Sequence, residues 1–271
     1  MLLAVDVGNT NSSLSVFDAN ASGGEPVLRR RMRTDARQTA DEIALIVRGL
    51  LGERAEAITG VAALATVPSV LRELRLMLER YWPHIPHVVV APGVRTGVPL
   101  LVDNPKEVGA DRVMNALAAH HLFGCPVIVV DFGTSTRVDV ISGAGEFLGG
   151  AIAPGIDISV DALAARGAAL RKVELARPRS VVGKSTVEAL QSGIVFGFAC
   201  QVDGMVERVR GELPEFAADD VAVVATGGLA GVVLGECASI TDHEPDLTAI
   251  GLHLVFERNR AGSRAGRRQA R

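Results

Sequence analysis

The amino-acid sequence predicts an α/β fold made of two duplicated halves, each with a mixed sheet. The clearest sign is the apolar run 127–130, which is typical of a strand buried on both faces. This run ends at Asp131 and Gly133, and a hydroxyl-rich turn leads into a second strand. The same order occurs at the start of the chain, around Asp6 and Gly8. A single Asp-x-Gly sequence indicates only an ordinary hairpin turn, whereas two copies at matching places indicate duplication.

Both turns have the composition of a phosphate-binding hairpin. Glycine lets a ligand approach the backbone closely, and successive N–H groups and hydroxyls can donate to phosphate oxygens. The aspartate that ends each strand can hold a cation. We therefore predict two phosphate-binding hairpins that face each other.

The first half contains further elements in a characteristic order. Strands are predicted at 27–33, 61–66 and 87–91, an amphipathic helix at 39–51, and a second helix that Pro68 opens. Together with the first hairpin, the order is three strands, helix, strand, helix, strand. This is the order of one ribonuclease-H-like, actin-like ATPase domain.

The second half repeats this order after a connecting helix predicted at 110–123. Three strands precede a helix near 157–170, and a long helix follows near 185–209. The buried strand 221–225 ends in a glycine turn, and a last strand and helix reach about residue 258.

The duplication predicts two ribonuclease-H-like domains. The first, with the first phosphate loop, covers residues 1–117, and the second, with the second phosphate loop, covers residues 118–258. Residues 259–271 are rich in arginine among Gly, Ala and Ser, and we predict a disordered basic tail there. A solvated chain end accounts for this tail better than a site for an anionic partner.

Composition narrows the functional class of the protein. The net charge of −3 over 271 residues does not favour a nucleic-acid-binding surface. No apolar run approaches the length of a membrane span, and the chain enters a strand at once instead of a signal peptide. Cys125, Cys200 and Cys237 have no metal-binding or disulfide spacing. We expect a soluble cytoplasmic protein with neither a nucleic-acid nor a membrane partner.

The stretch from Gly183 to Thr186, GKST, resembles the end of a Walker A loop, but the first glycine of that motif is missing. The motif requires a glycine five positions before Gly183, and that position is Pro178. Thr186 remains a candidate capping hydroxyl at a helix N-terminus, where an anionic or hydroxylated ligand could bind. From spacing alone, helix capping without a ligand explains it equally well.

Asp111 is a candidate general base. With Arg112 it occupies the first turn of the predicted connecting helix, where an Asp commonly just interacts with the helix dipole. Asp111 follows a proline-containing loop and precedes the second phosphate hairpin. An acceptor substrate would have to bind at this point, which makes Asp111 a candidate to take its proton.

Several motifs in this order together resemble the type III pantothenate kinase family over nearly the whole chain to about residue 258. These motifs are Asp6–Thr10, Gly109–Arg112, Asp131–Thr134, Gly149–Gly155 and Thr226–Gly228. The resemblance implies a fold of the acetate and sugar kinase/Hsp70/actin type and a homodimer. It also implies ATP-dependent phosphorylation of pantothenate to 4'-phosphopantothenate, the first step of coenzyme A synthesis, with Mg²⁺ and a monovalent cation such as K⁺ or NH₄⁺.

The resemblance also implies roles for particular residues. Asp111 would accept the proton of pantothenate, Asp131 would bind the monovalent cation, and Asp6 would bind Mg²⁺ directly or through water. The second domain, 118–258, would lie on the adenosine side. The residues expected to contact ATP are Asp6, Val7, Gly8, Asn9, Thr10, Asn11, Ser12, Ser13, Thr134, Gly227 and Gly228. The residues expected to contact pantothenate are Val102, Gly109, Ala110, Asp111, Arg112 and Thr186.

The chain departs from the family pattern at Val102, where the family often has Tyr, and at Arg137, where a second threonine is usual. Arg137 could add positive charge on the nucleotide side or point to solvent. These departures leave a second hypothesis open, a non-catalytic regulatory or accessory protein on the same fold. A third is a kinase for another small hydroxylated acid. The intact Asp6, Asp111 and Asp131 favour the pantothenate kinase.

Overall fold

The computed structural model describes the chain except for residues 19–23, 125, 167–172, 217–220 and 270–271, and it describes no side chain beyond residue 261. The chain divides into two compact units. The first unit comprises residues 1–98, 103–118 and 246–271, and the second comprises residues 99–102 and 119–245.

The first unit is built on a five-stranded mixed sheet in the order β3-β2-β1-β4-β5. Strands β1, β2 and β3 pair antiparallel, and β1, β4 and β5 pair parallel. Its elements in chain order are β1 (Leu2–Val7), β2 (Asn11–Phe17), β3 (Leu28–Arg33), α1 (Ala40–Leu51), β4 (Gly60–Ala65), α2 (Pro68–Tyr81) and β5 (His87–Val89). A 3₁₀ turn lies at Pro105–Glu107, and α3 (Ala110–Phe123) begins in this unit.

One face of this sheet packs against α1 and α2. Leu3 and Val5 alternate along β1 and belong to one core with Ile43 of α1 and Leu74 of α2. The predicted helix start is confirmed in position, with Thr39 as the N-cap of α1 in a capping box. The hydrophobic periodicity of the sequence therefore located these elements.

The second unit repeats the plan with a sheet in the order β10-β9-β6-β7-β8. Ile128 and Val130 of its central strand pack in one core with Val202 and Val206 of the long helix. Its elements are β6 (Val127–Phe132), β7 (Ser135–Ile141), β8 (Phe147–Pro154), α4 (Ile156–Arg166), α5 (Thr186–Glu212), β9 (Ala222–Thr226), α6 (Ala230–Val233) and β10 (Asp242–His243). The end of the helix predicted at 157–170 and Cys125 lie outside the described residues.

The C-terminal helix α7 (Leu247–Gln269) belongs to the first unit, whereas the duplicated sequence pattern predicted that residues 246–258 belong to the second domain. It packs against β1, β4 and β5. Two contacts join it and the residue before it to the first unit. Asp246 forms an ion pair with Arg29 at 2.6 Å, and the rings of His253 and Phe17 lie edge to face at 4.9 Å between centroids. These partners are distant in the chain, so local pattern could not reveal them.

The backbone of residues 259–269 is helical, which differs from the predicted disordered tail. Arginine, alanine and glutamine have high helix propensity, and extending a formed helix avoids the cost of nucleation. Local composition predicted disorder because it does not show that a packed helix, α7, leads directly into this segment. Residues 270–271 lie outside the description.

Among the described helices, α5 alone is long and apolar enough, by length and composition, to cross a membrane. In its most apolar stretch of 18 residues, 33% of the residues are buried. A core helix of a soluble protein passes the same test, so this finding is weak evidence for a membrane span.

Candidate active site

The first hairpin joins β1 and β2 and carries the first group of predicted ATP contacts. Asp6 lies directly opposite Ser13, and the turn closes with the Gly8 N–H donating to the Asn11 carbonyl at 3.0 Å. Asp6 is half-buried and Ser13 is exposed. Thr10 lies exposed at the tip, and its carbonyl accepts from the backbone N–H of Thr34 at 3.0 Å. The turn therefore presents a carboxylate and hydroxyls on its accessible side.

The neighbouring pair of the same hairpin points into the protein. Val7 and Ser12 lie opposite each other and are buried, because side chains alternate between the two faces of a strand. The Ser12 hydroxyl is hydrogen-bonded to the Thr34 hydroxyl at 2.8 Å. Among the predicted ATP contacts of this hairpin, only the outward-facing residues can therefore contact a phosphate through their side chains.

The second hairpin joins β6 and β7 through a shorter turn. The Gly133 N–H donates to the Ser135 carbonyl at 3.1 Å, and Thr134 lies exposed at the tip. The Gly155 N–H donates to the Thr134 carbonyl at 3.2 Å. A Cβ on Gly155 would lie 2.4 Å from that oxygen, so only glycine allows the end of β8 to support the turn this closely.

The glycine turn after β9 lies against this second hairpin. Thr226 is directly opposite Asp131 in the parallel pair of β9 and β6. Gly227 has a φ of +91°, and a Cβ there would lie 2.5 Å from Oδ1 of Asp131. Gly228 follows and is exposed. The second unit thus brings three predicted nucleotide residues, Thr134, Gly227 and Gly228, into one region around Asp131.

Asp131 is paired with a cation supplied by the chain itself. Arg137 lies directly opposite it on β7, and Nη2 of Arg137 donates to Oδ2 of Asp131 in an ion pair. The two side chains are only 10% and 17% exposed, so the arginine does not point to solvent. A monovalent cation bound to the same carboxylate would lie beside a guanidinium. The residues at Asp131 therefore do not fit an added cation.

Asp111 lies in the first turn of α3, and its carboxylate lies close to Gly109. A Cβ on Gly109 would lie 2.5 Å from Oδ1 of Asp111. The loop before this helix is closed by Asn104, whose amide donates to Glu107 at 2.5 Å and whose side-chain oxygen accepts from the Lys106 N–H at 3.3 Å. These contacts define the chain path that leads to Asp111.

The other predicted pantothenate residues are placed by different elements. Val102 follows a segment that runs beside β8, where the Leu101 N–H donates to the Phe147 carbonyl at 2.9 Å. Its Cγ1 lies 3.8 Å from where a Cβ on Gly149 would be. Val102 belongs to the second unit, whereas the motif from Gly109 to Arg112 belongs to the first.

The capping role considered for Thr186 is wrong. Ser185 is the N-cap of α5, and its hydroxyl accepts from the Glu188 N–H at 3.2 Å. Thr186 is the first helical residue and is exposed. The backbone at Ser185 is extended, with a φ of −135° and a ψ of 160°, as is typical of an N-cap residue. The hydroxyl of Thr186 therefore does not have the role of the cap.

Asp6 is a chemically suitable ligand for Mg²⁺. The described residues contain no cluster of three or more His, Cys, Asp or Glu side chains that could hold a metal ion. Mg²⁺ commonly binds through one or two carboxylates together with substrate phosphates and water, so a full protein cage is not required. The half-buried carboxylate of Asp6, at the edge of a phosphate-type turn, fits this mode.

Comparison with known proteins identifies the family. The model of the family described as type III pantothenate kinase matches residues 2–208. The chain is also 67% identical over 261 residues to the type III pantothenate kinase of Rhodococcus jostii strain RHA1, covering 96% of each protein. The chain belongs to the type III pantothenate kinase family. It is accordingly an ATP-dependent kinase that phosphorylates pantothenate in coenzyme A biosynthesis.

Solved structures support the fold at lower identity. A Baf family protein from Campylobacter jejuni, described as a transcriptional activator, matches with a TM-score of 0.58 at 16% identity, over 96% of this chain and 99% of its own. The inorganic polyphosphate/ATP-glucomannokinase of Arthrobacter sp. strain KM matches with a TM-score of 0.51 at 16% identity, over 95% and 98%. At this identity both likenesses show the fold alone. The prediction of an actin-like kinase fold with two mixed sheets is confirmed.

Proposed function

We propose that the two hairpins bind the phosphates of ATP and that Asp111 accepts the proton of the pantothenate hydroxyl. The observation that carries this proposal is the pair of carboxylate–glycine turns, one in each unit, with the nucleotide-type turn at Gly227 lying against the second. Membership of the type III pantothenate kinase family supplies the reaction.

The reaction is a phosphoryl transfer, which depends mainly on positioning and charge stabilisation. Asp111 orients the primary hydroxyl of pantothenate and takes its proton as the γ-phosphoryl group moves to that oxygen. A well-placed general base contributes about 10²–10⁴-fold to the rate.

The nucleotide contacts follow from which groups face outward on the hairpins. Asp6, Asn9, Thr10, Asn11 and Ser13 present side chains to the phosphates, while Val7, Gly8 and Ser12 contribute backbone groups. Thr134, Gly227 and Gly228 act from the second unit. Mg²⁺, when held by Asp6, would neutralise charge that develops on the phosphate oxygens.

Pantothenate has a carboxylate at one end and a primary hydroxyl at the other. We assign Arg112 to the carboxylate, because a guanidinium pairs well with this group, and Asp111 to the hydroxyl. Gly109, Ala110 and Thr186 complete the contacts. Val102 provides an apolar contact without the hydroxyl that a tyrosine would offer.

We also propose a cytoplasmic homodimer. Three valines near Thr186 support an interface between copies at the start of α5, since Val181, Val182 and Val187 are more than half exposed at 66%, 76% and 51%. The resemblance implies a monovalent cation such as K⁺ or NH₄⁺ at Asp131, and the residues around this carboxylate do not fit that requirement. Arg137 already supplies a positive charge to that carboxylate.

The decisive test replaces Asp111 with Asn, which keeps the size of the side chain but cannot accept a proton. We expect kcat for pantothenate phosphorylation to fall at least about tenfold while the Kd for ATP stays within about twofold. Asp157→Asn is the matched control, because Asp157 is an exposed aspartate in the first turn of another helix. The control should keep normal turnover.

If the Asp111→Asn variant kept a normal kcat, Asp111 would be excluded as the general base. If the unmodified protein bound ATP but gave no pantothenate-dependent turnover, the regulatory hypothesis would replace the enzymatic one.

A further inference from the structure

We propose that Arg137 permanently supplies the positive charge at Asp131, so that this kinase needs no monovalent cation. The inference rests on the proposed function, because it concerns how the second hairpin holds the ATP phosphates. It reverses the requirement that the family resemblance implies.

The geometry around Asp131 leaves little open surface at either carboxylate oxygen. Oδ2 accepts from Nη2 of Arg137, which lies directly opposite on β7. Oδ1 lies against the glycine turns: a Cβ would lie 2.5 Å from it on Gly227 and 3.4 Å on Gly133. The carboxylate is 10% exposed. A K⁺ ion needs several oxygen ligands around it, and the enclosed carboxylate of Asp131 leaves little space for such an ion.

The charge balance leads to the same conclusion. A lone carboxylate at the end of a buried strand is costly unless a positive charge lies beside it. The guanidinium provides that charge at every pH relevant to proteins, because arginine is not deprotonated there. A second cation on the same carboxylate would be repelled by the guanidinium at short range. Arg137 therefore takes the place of an exchangeable ion, and its positive charge cannot dissociate because the guanidinium is part of the protein chain.

The test compares wild type with Arg137→Thr, which returns the two-threonine run of the family pattern, and with Arg137→Lys, which keeps the charge. Turnover and the calorimetric Kd for ATP are measured in choline, Na⁺, K⁺ and NH₄⁺ chlorides at constant ionic strength. Wild type should vary by no more than about twofold among the salts, which is the scale of general salt effects. Arg137→Thr should bind ATP about tenfold or more weakly in choline and recover in K⁺ or NH₄⁺. Arg137→Lys should remain insensitive to the salt.

Thermal unfolding in choline and in K⁺ gives a readout that does not depend on activity. It also covers the case in which Arg137→Thr folds poorly without K⁺. A melting temperature that rises specifically with K⁺ in Arg137→Thr, and not in wild type, supports the proposal.

Two results would overturn it: severalfold stimulation of wild type by K⁺ over choline, or an Arg137→Thr variant as insensitive to K⁺ as wild type in both ATP binding and unfolding. If no salt supports pantothenate turnover in wild type while ATP binding and unfolding behave as expected, the proposed function fails and the role of Arg137 stands.

Discussion

The two hairpins share one sequence pattern, yet their aspartates lie in different environments. Asp6 is half-buried and faces an exposed serine, Ser13, across the strand pair. Asp131 is buried and faces Arg137, to which it is ion-paired. The first aspartate is therefore accessible to a hydrated ion, and the second is neutralised within the protein.

The difference arises from the length of the turn. In the first hairpin the innermost pair, Val7 and Ser12, encloses four residues, 8–11. In the second, the pair Phe132 and Thr136 encloses only three, 133–135. Counting from the glycine, Arg137 corresponds to Ser12, which is opposite Val7. Because the turn is one residue shorter, strand register places Arg137 opposite Asp131 instead. A duplicated motif can thus hold its carboxylates in two different ways.

The largest expected contrast is in stability. Asp131→Ala leaves a nearly buried guanidinium without its carboxylate, which should cost about 3 kcal/mol, at the lower end of the range for broken buried pairs. For a protein of this size that is a fall in Tm of roughly 6–10 °C. Asp6→Ala removes a half-exposed side chain and should lower Tm by no more than about 2 °C, although turnover falls.

Differential scanning calorimetry of the two alanine variants measures this contrast. Arg137→Ala in the Asp131→Ala background is the control, since removing both charges should restore part of the lost stability. Equal Tm losses in the single variants would show that the two aspartates are not distinguished by their partners.

A smaller contrast is expected at the glycines. Gly227→Ala forces a Cβ to within 2.5 Å of Oδ1 of Asp131 at a φ of +91° and should cost about 2 kcal/mol. Gly8→Ala meets only the Asn11 carbonyl at 3.0 Å and should cost less than about 1 kcal/mol. Urea unfolding of both variants measures the difference. A loss as large at Gly8 would indicate that the first turn is packed as tightly as the second.

The smallest expected effect lies outside both hairpins, at Asp203 of α5. Burial raises the pKa of this carboxyl, but hydrogen bonds from the Ser239 hydroxyl and the Ala238 and Ser239 N–H groups outweigh it, so the pKa lies below its ordinary value of 3.8. Since the folded-state pKa is depressed, Asp203 adds stability above its ordinary pKa and loses it as the pH falls through the folded-state value.

Asp203→Asn should therefore cost about 1 kcal/mol at neutral pH, and its difference from wild type should shrink below about pH 4. Urea unfolding at several pH values checks this prediction. ATP binding should be unchanged, because Asp203 is part of neither hairpin. A difference from wild type that is constant with pH would exclude the carboxylate as the cause.

Local pattern was sufficient for much of the fold, whereas most of the candidate site residues came from the family resemblance. The buried run at 127–130, the helical spacing of apolar residues at 39–51 and the two Asp-x-Gly turns predicted strands, a helix and hairpins that the structure contains. These features depend on residues close in sequence, through side-chain periodicity and turn chemistry.

Contacts between distant residues decided the rest. Helix α7 belongs to the first unit because its partners, such as Phe17, lie more than two hundred residues earlier in the chain. The ion pair of Asp131 with Arg137 depends on strand register. A turn that is one residue longer or shorter would move the side chains of β7 to the opposite face of the sheet. The sequence by itself therefore determined which chemical groups are available. Only the tertiary structure decided that Asp131 is ion-paired with Arg137, because register and burial exist only once the strands have paired.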